Sequence, residues 1–466
     1  VCPFGTLIDL FDWAVGRRIS RFRVSREGWW GGLRYGLLTA VLAAALCGVL
    51  FAGFVAATAV VTRGMALVFA PLQDGVTQGW QQMPPYGAGQ WLSIAMFFGV
   101  LALGLLGPRF WCRYVCPTGA VFSLGSVLRL HQRHVSDACA GCGRCAEHCP
   151  FDAVEPGFGT RTADCAFCQT CGGVCPTEAV RFSSRWSRAS NTANGQAGAK
   201  ESSLPRRRFL ASGISLGAGC LGGLGAAVLV RLSGPAADAA ATAAVRPPGS
   251  VPEIDFLRMC VGCGQCLRAC PNGALQPLGV GDGLESLWTP HLVADWAGCE
   301  TSCNRCGQVC PTGAIRALPL VEKQAARMGR AVVDQATCLP FAQRASCRLC
   351  VDACAAAGHR AIEFVRVGTE LDASGRPIAD TGYLVPSVQQ QRCVGCGQCQ
   401  TRCHAINVVA QGELKEAAIR VEAGKGKEDR LRTGSYIALR EAEAAQQQES
   451  TLPPASSGEY LPDFLQ

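Results

Sequence analysis

The residues with chemistry to offer are cysteines. The chain has 29, and 24 of them fall into six groups of four. The first group is Cys139, Cys142, Cys145 and Cys149, followed by Pro150. After 15 intervening residues come Cys165, Cys168, Cys171 and Cys175, followed by Pro176. Two residues between cysteines let a tight loop wrap a four-iron cube, with backbone N–H groups turned toward the sulfurs. The fourth cysteine opens a short helix, whose start the following proline favours. Gly141 and Gly143 relieve crowding where backbone approaches the cluster. Structural zinc is the alternative. It pairs two Cys-x2-Cys hooks across a longer gap, or mixes cysteine with histidine. Here four cysteines are packed closely and the unit recurs, so iron–sulfur is the reading adopted.

The spacing is that of bacterial two-cluster ferredoxins, in which the fourth cysteine ligates the neighbouring cluster. That signature implies Cys139, Cys142, Cys145 and Cys175 on one cluster, and Cys165, Cys168, Cys171 and Cys149 on the other. Four more groups follow toward the C-terminus: Cys260, Cys263, Cys266 and Cys270; Cys299, Cys303, Cys306 and Cys310; Cys338, Cys347, Cys350 and Cys354; Cys393, Cys396, Cys399 and Cys403. The stretched spacings of the middle two need longer loops, not a different cluster. Two exchange schemes are open. Neighbours pair (first with second, third with fourth), or the groups nest (first with fourth, second with third). About six [4Fe–4S] clusters are expected. Cys2 and the Cys112-x3-Cys116-Pro117 motif are possible additional redox or cluster ligands.

These groups must be held by elements of two kinds. Tyr35 to Val61 and Trp91 to Gly107 are apolar runs and read as two transmembrane helices, joined by a polar loop from Thr62 to Gln90. Basic residues, Arg17 to Arg26 before them and Arg109 to Arg133 after them, put both outer ends of this pair in the cytoplasm. A third run, Phe209 to Val230, is uncharged and contains six glycines. It follows Arg206, Arg207 and Arg208, and Arg206-Arg207 with Phe209-Leu210 resembles a twin-arginine export signal. The two halves of the chain then lie on opposite sides of a membrane. Glu363 to Val367 and Tyr383 to Val385 read as a hairpin inserted between the third and fourth outer groups.

The expected fold class is α+β and multidomain, with transmembrane helices plus ferredoxin-like domains. The expected divisions are a membrane region (1–134), a cytoplasmic two-cluster domain (135–182) and a linker (183–205). A transmembrane segment (206–231), a second linker (232–251), a periplasmic four-cluster domain (252–411) and a partly disordered polar tail (412–466) follow. None of the six histidines lies in an apolar run and no Cys-x-x-Cys-His occurs, so haem is not expected. No flavin or nucleotide fingerprint stands out. The net charge of +8 gathers beside apolar runs, and no aromatic-interleaved basic face suggests nucleic acid. The chain starts at Val1-Cys2 without methionine, which suggests that upstream segments precede it.

Trp111-Cys112-Arg113-Tyr114-Val115-Cys116-Pro117-Thr118-Gly119-Ala120, within Arg109 to Ala179, resembles polyferredoxin-type membrane ferredoxins. That type includes the quinol dehydrogenase membrane component of periplasmic nitrate reduction and related regulators of nitrous oxide reduction. From Arg206 to Val409, and most specifically from Arg246-Pro247-Pro248-Gly249 through Cys270, the chain resembles the exported four-cluster ferredoxins of nitrate reduction and methylamine utilisation. The resemblance implies a fusion of two normally separate partners in the bacterial inner membrane. It would be an electron-transfer component of a quinol dehydrogenase-type system rather than a stand-alone enzyme. Electrons would pass from membrane quinol to a periplasmic reductase or cytochrome, with no dedicated catalytic residue. The alternative is an assembly factor for an exported metalloenzyme.

Overall fold

The computed structural model describes residues 3–16, 30–78, 86–155, 157–184, 206–233, 244–370, 378 and 381–451. Cys2 and the Pro84-Pro85 loop lie outside them. The chain forms two compact units. The first comprises residues 1–235, 257–264 and 277–289; the second comprises 236–256, 265–276 and 290–466.

In the first unit, helices α1 (Pro3–Phe11), α2 (Trp30–Leu46), α3 (Ala52–Val55), α4 (Ala57–Gln78), α5 (Ala88–Ala102) and α6 (Pro117–Val127) precede the first two cysteine groups. The apolar run expected as one span from Tyr35 to Val61 is broken. Gly48 takes φ +81°, its amide donates to Ala45, and the Val49 amide donates to Ala44 (both 2.9 Å). This double bond around a left-handed glycine terminates a helix. The expected loop from Thr62 is instead mostly α4. Its basic residue, Arg63, is buried inside the unit, with Nε and Nη1 hydrogen-bonded there.

The third apolar run is helix α9 (Arg206–Ser233), whose opening side chains are outside the described residues. A Cβ on Gly219 would lie 2.1 Å from the Gly36 carbonyl, and one on Gly223 2.3 Å from that of Ala40. Two of the glycines that weaken the hydrophobicity of α9, Gly219 and Gly223, therefore lie on its packing face against α2, as small residues do between apolar helices. Among the described residues two helices are long and apolar enough to cross a membrane, Ala88–Leu106 and Gly213–Val230; Trp30–Leu46 and Ala57–Gln73 are shorter.

The first two cysteine groups lie between strands β1 (His131–Val135) and β2 (Val180–Ser184), which pair antiparallel with Val135 opposite Val180. The short helices α7 (Arg144–Glu147) and α8 (Thr170–Gly173) each carry the third cysteine of a group.

The second unit contains most of helix α10 (Glu253–Met259) and the helices α11 (Gln265–Ala269), α12 (Arg305–Gln308), α13 (Leu320–Ala325), α14 (Leu349–Ala356), α15 (Gln398–Cys403) and α16 (Tyr436–Thr451). Its sheets have two strands each: β3 (Leu275–Pro277) with β4 (Pro290–Leu292), β5 (Arg330–Val333) with β8 (Ile419–Glu422), and β6 (Ile362–Val367) with β7 (Tyr383–Val388). The β6–β7 pair is the expected hairpin, with Val367 opposite Tyr383. The segment after Gln411 is not simply a polar tail. Its β8 completes a sheet, Tyr436 is fully buried, and Glu443 on α16 bonds the buried Arg327 (3.2 Å). The apolar signal there is sparse because the segment adds one strand and one anchor to an existing core.

Candidate iron–sulfur sites

No disulfide joins the cysteines of the described residues. In the β1–β2 domain a cavity is lined by Cys149, Cys165, Cys168 and Cys171 together with Arg133, Phe151, Val154 and Phe182. That is the expected exchange: three cysteines of the second group with the fourth of the first. The Ala153 amide donates to Cys149 Sγ at 3.3 Å, and Gly141 and Gly143 adopt positive φ between the cysteines of the first group.

The second unit decides between the two open pairing schemes. One cavity is lined by Cys338, Cys347, Cys350 and Cys403, with Val333, Leu339, Leu414 and Ile419 around them. Burial and the charges of Cys347, Cys338 and Cys403 push the Cys350 thiol up to about 12. Burial also raises the Cys399 thiol well above its ordinary value, with Cys396, Cys393 and Cys354 among its charged neighbours. Burial also pushes Cys306 up to about 12, beside Cys299, Cys270 and Cys303. Neighbouring groups therefore exchange their fourth cysteines, third with fourth, and Cys270 joins the second group. The nested scheme fails because Cys403 faces the third group and Cys270 the second.

The sites are ordered in space as well. The Cys299 amide donates to the Cys396 carbonyl at 2.7 Å, and Cys399 has Cys350 as a charged neighbour. The Cys270–Cys299–Cys303–Cys306 site thus adjoins the Cys354–Cys393–Cys396–Cys399 site, which adjoins the Cys338–Cys347–Cys350–Cys403 site.

These pockets suit a cluster better than one ion. Amides of Ala361 and Ala331 donate to Cys354 Sγ (3.1 Å) and Cys393 Sγ (3.4 Å), the polarity that thiolates bearing cluster charge require. Raised thiols buried among apolar side chains need a cationic centre to become thiolates. Among the described residues no three Cys, His, Asp or Glu side chains converge closely enough for a single metal ion. A zinc tetrahedron needs that closeness; a four-iron cube holds its thiolates farther apart.

Cys116 is buried against Phe4, Ile8 and Trp111, and Cys112 is a charged neighbour of Arg109, as is Cys168. Sequence reasoning missed the polar residues that serve the thiols. Arg133 had been read only as a charge marking topology. Yet it is 8% exposed, its Nη1 donates to the Phe158 carbonyl (2.8 Å), its Nε and Nη2 have no hydrogen-bond partner among the described residues, and its charge lies beside the Cys171 thiol. Buried Asn407 donates to Cys403 Sγ (3.5 Å), and buried Lys323 lies beside Cys299. The polar-within-apolar context of each was the available signal.

The fold and these thiol pockets define an iron–sulfur protein of the ferredoxin type. Three families match parts of the chain: a 4Fe-4S dicluster domain at residues 259–314, the LdpA Fe-S cluster-binding domain at 108–157 and a 4Fe-4S binding domain at 1–22. The methylamine utilization ferredoxin-type protein MauM of Methylorubrum extorquens is 35% identical over 51% of this chain and all of its own length. MauM of Paracoccus denitrificans is 38% identical over 47% of this chain and 89% of its own. The ferredoxin-type protein NapG of Escherichia coli is 34% identical over 45% and 89%. The chain belongs to the MauM/NapG family of ferredoxin-type proteins. The regulatory protein NosR of Pseudomonas aeruginosa is 24% identical over 36% of the chain and 22% of its own length. No solved structure matches the chain.

Proposed function

We propose that the chain is a membrane-bound electron carrier that passes electrons from quinol to a periplasmic redox enzyme through about six [4Fe–4S] clusters. It would join a polyferredoxin-type membrane half to an exported four-cluster half. The clusters' ligands are the 24 grouped cysteines in the exchanged sets described above, extended by the same pattern to Cys260, Cys263 and Cys266 with Cys310. Bound there, the clusters supply one-electron redox chemistry. The chain's own side chains do the rest: apolar residues exclude water, amides and cations offset charge, and contiguous sites shorten each transfer.

The carrying observation is the arrangement along α2 within the first unit. Near its N-terminus, Arg34 pairs with Asp164 of the β1–β2 domain (3.0 Å). Just beyond its C-terminus, a Cβ on Gly53 would lie 2.5 Å from the Val261 carbonyl, in the loop between Cys260 and Cys263. α9 runs parallel, with Gly219 against Gly36 and Ala227 and Val230 packed with Ala44. Thiol-bearing segments therefore meet opposite ends of one helix pair. That supports the membrane-crossing reading, the export role of Arg206, Arg207, Phe209 and Leu210, and residence in the bacterial inner membrane. A cavity of about 380 Å³ lined by Ala45–Leu50 and Arg258 is of a size for a quinol headgroup.

The test is to add a quinol to anaerobic membranes containing the full chain and to follow cluster reduction by EPR. Reduction of the clusters supports the carrier. Should quinol reduce none while deletion of the chain still blocks activation of its partner, the assembly-factor alternative replaces it.

A further inference from the structure

Among the described residues, no carboxylate pairs with Arg63. It sits on α4 with 2% exposure. Its Nε donates to Ser93 Oγ (2.7 Å). Its Nη1 donates to the carbonyls of Gly53 (3.2 Å) and Gly262 (3.0 Å). The Trp288 ring covers the guanidinium at 3.6 Å, and the Trp288 indole is fixed in turn by the Gly89 carbonyl (2.7 Å). Nη2 has no hydrogen-bond partner among the described residues. The Cys263 thiol is a charged neighbour of it. A buried guanidinium requires compensating charge, and carbonyl and hydroxyl dipoles supply only part of it. Gly262, held by Arg63, lies between Val261 and Cys263 and has φ +58°, so the contact is to the ligand loop itself.

We propose that Arg63 is the positioning residue of the Cys260–Cys263 loop and the counter-charge of the cluster bound there, raising that cluster's reduction potential. This rests on the iron–sulfur reading of Cys260, Cys263 and Cys266, but not on quinol as the donor. A fixed positive charge favours the reduced, more negative state. At an effective dielectric constant of about 20, a unit charge several ångströms away is worth at least a tenfold change in that equilibrium.

The experiment compares wild type, Arg63→Gln and Arg63→Lys as purified full-length chains. Iron per chain and EPR-monitored redox titrations are the readouts. Wild type without cluster signals would sink the iron–sulfur reading itself, before Arg63 is in question. With iron retained, Arg63→Gln is expected to reduce one cluster about tenfold or more less readily at fixed potential, leaving the other signals in place. Arg63→Lys, which keeps the charge, should recover most of that shift. An unmoved profile in Arg63→Gln overturns the proposal, and so does an equal shift of every signal. If Arg63→Gln loses one cluster's iron, retention in Arg63→Lys supports the charge role. Loss in both overturns it in favour of packing alone.

Discussion

Replacing Cys403 with alanine should empty the site of a different cysteine group. Cys403 shares its cavity with Cys338, Cys347 and Cys350, whereas Cys393, Cys396 and Cys399 of its own group are charged neighbours of Cys354. With about six four-iron sites, the intact chain carries roughly 24 iron atoms. Loss of one site removes roughly a sixth of them. Cys403→Ala and Cys350→Ala should each lose that sixth, and their reduced EPR spectra should lack the same signal. Cys354→Ala and Cys399→Ala should form a second matching pair that lacks another. Asn407→Leu, which deletes the donor to Cys403 Sγ but no ligand, should keep its iron and shift only the first signal. The reasoning is refuted if Cys403→Ala matches Cys399→Ala, since the fourth cysteines would then not be exchanged.

Other outcomes follow from the same geometry. Arg133→Gln should make the cluster held by Cys149, Cys165, Cys168 and Cys171 harder to reduce, seen as a downward shift of one inner signal; an unchanged titration would show that its charge does not reach the cluster. Gly223→Leu should destabilise α9 against α2 by about 1–3 kcal/mol, the usual cost of overpacking, while Gly217→Leu, with open space around it, should not; thermal unfolding in detergent compares them. Burial opposes the charge on Glu253, but Arg246 and Arg430 outweigh it and hold its carboxyl below the ordinary value. A depressed carboxyl stabilises the fold above its unfolded-state pKa, and that contribution is lost as pH falls through the folded-state value. Glu253→Gln should therefore lower stability at neutral pH by about 1 kcal/mol or less, because the carboxylate is 42% exposed and solvent screens its pairs, and flatten the acid limb of an unfolding profile.

Ligand spacing was legible in the sequence because a cluster wrap is a local constraint. The β6–β7 hairpin followed from short-range pattern, and the shared cavity of Cys149 with Cys165, Cys168 and Cys171 is the arrangement the two-cluster ferredoxin signature implies. Pairing of the outer groups was not legible, because Cys270 and Cys403 reach their sites through tertiary packing that spacing does not record. The broken run at Gly48 was hidden because a glycine terminator inside an apolar stretch leaves hydropathy unchanged. Arg63 misled in the other direction. A lone arginine marks a solvent loop in a hydropathy reading, yet here its charge is held by carbonyls, a hydroxyl and an indole ring. The segment from β8 to α16 is polar on its outer surface, so its few anchors, such as Tyr436, did not stand out.

The central claim, that grouped thiolates hold iron–sulfur cubes, is tested most directly by measuring iron and acid-labile sulfide on the anaerobically purified full-length chain. The account predicts roughly 24 of each per chain. A colourless protein with little iron and stoichiometric zinc would contradict it.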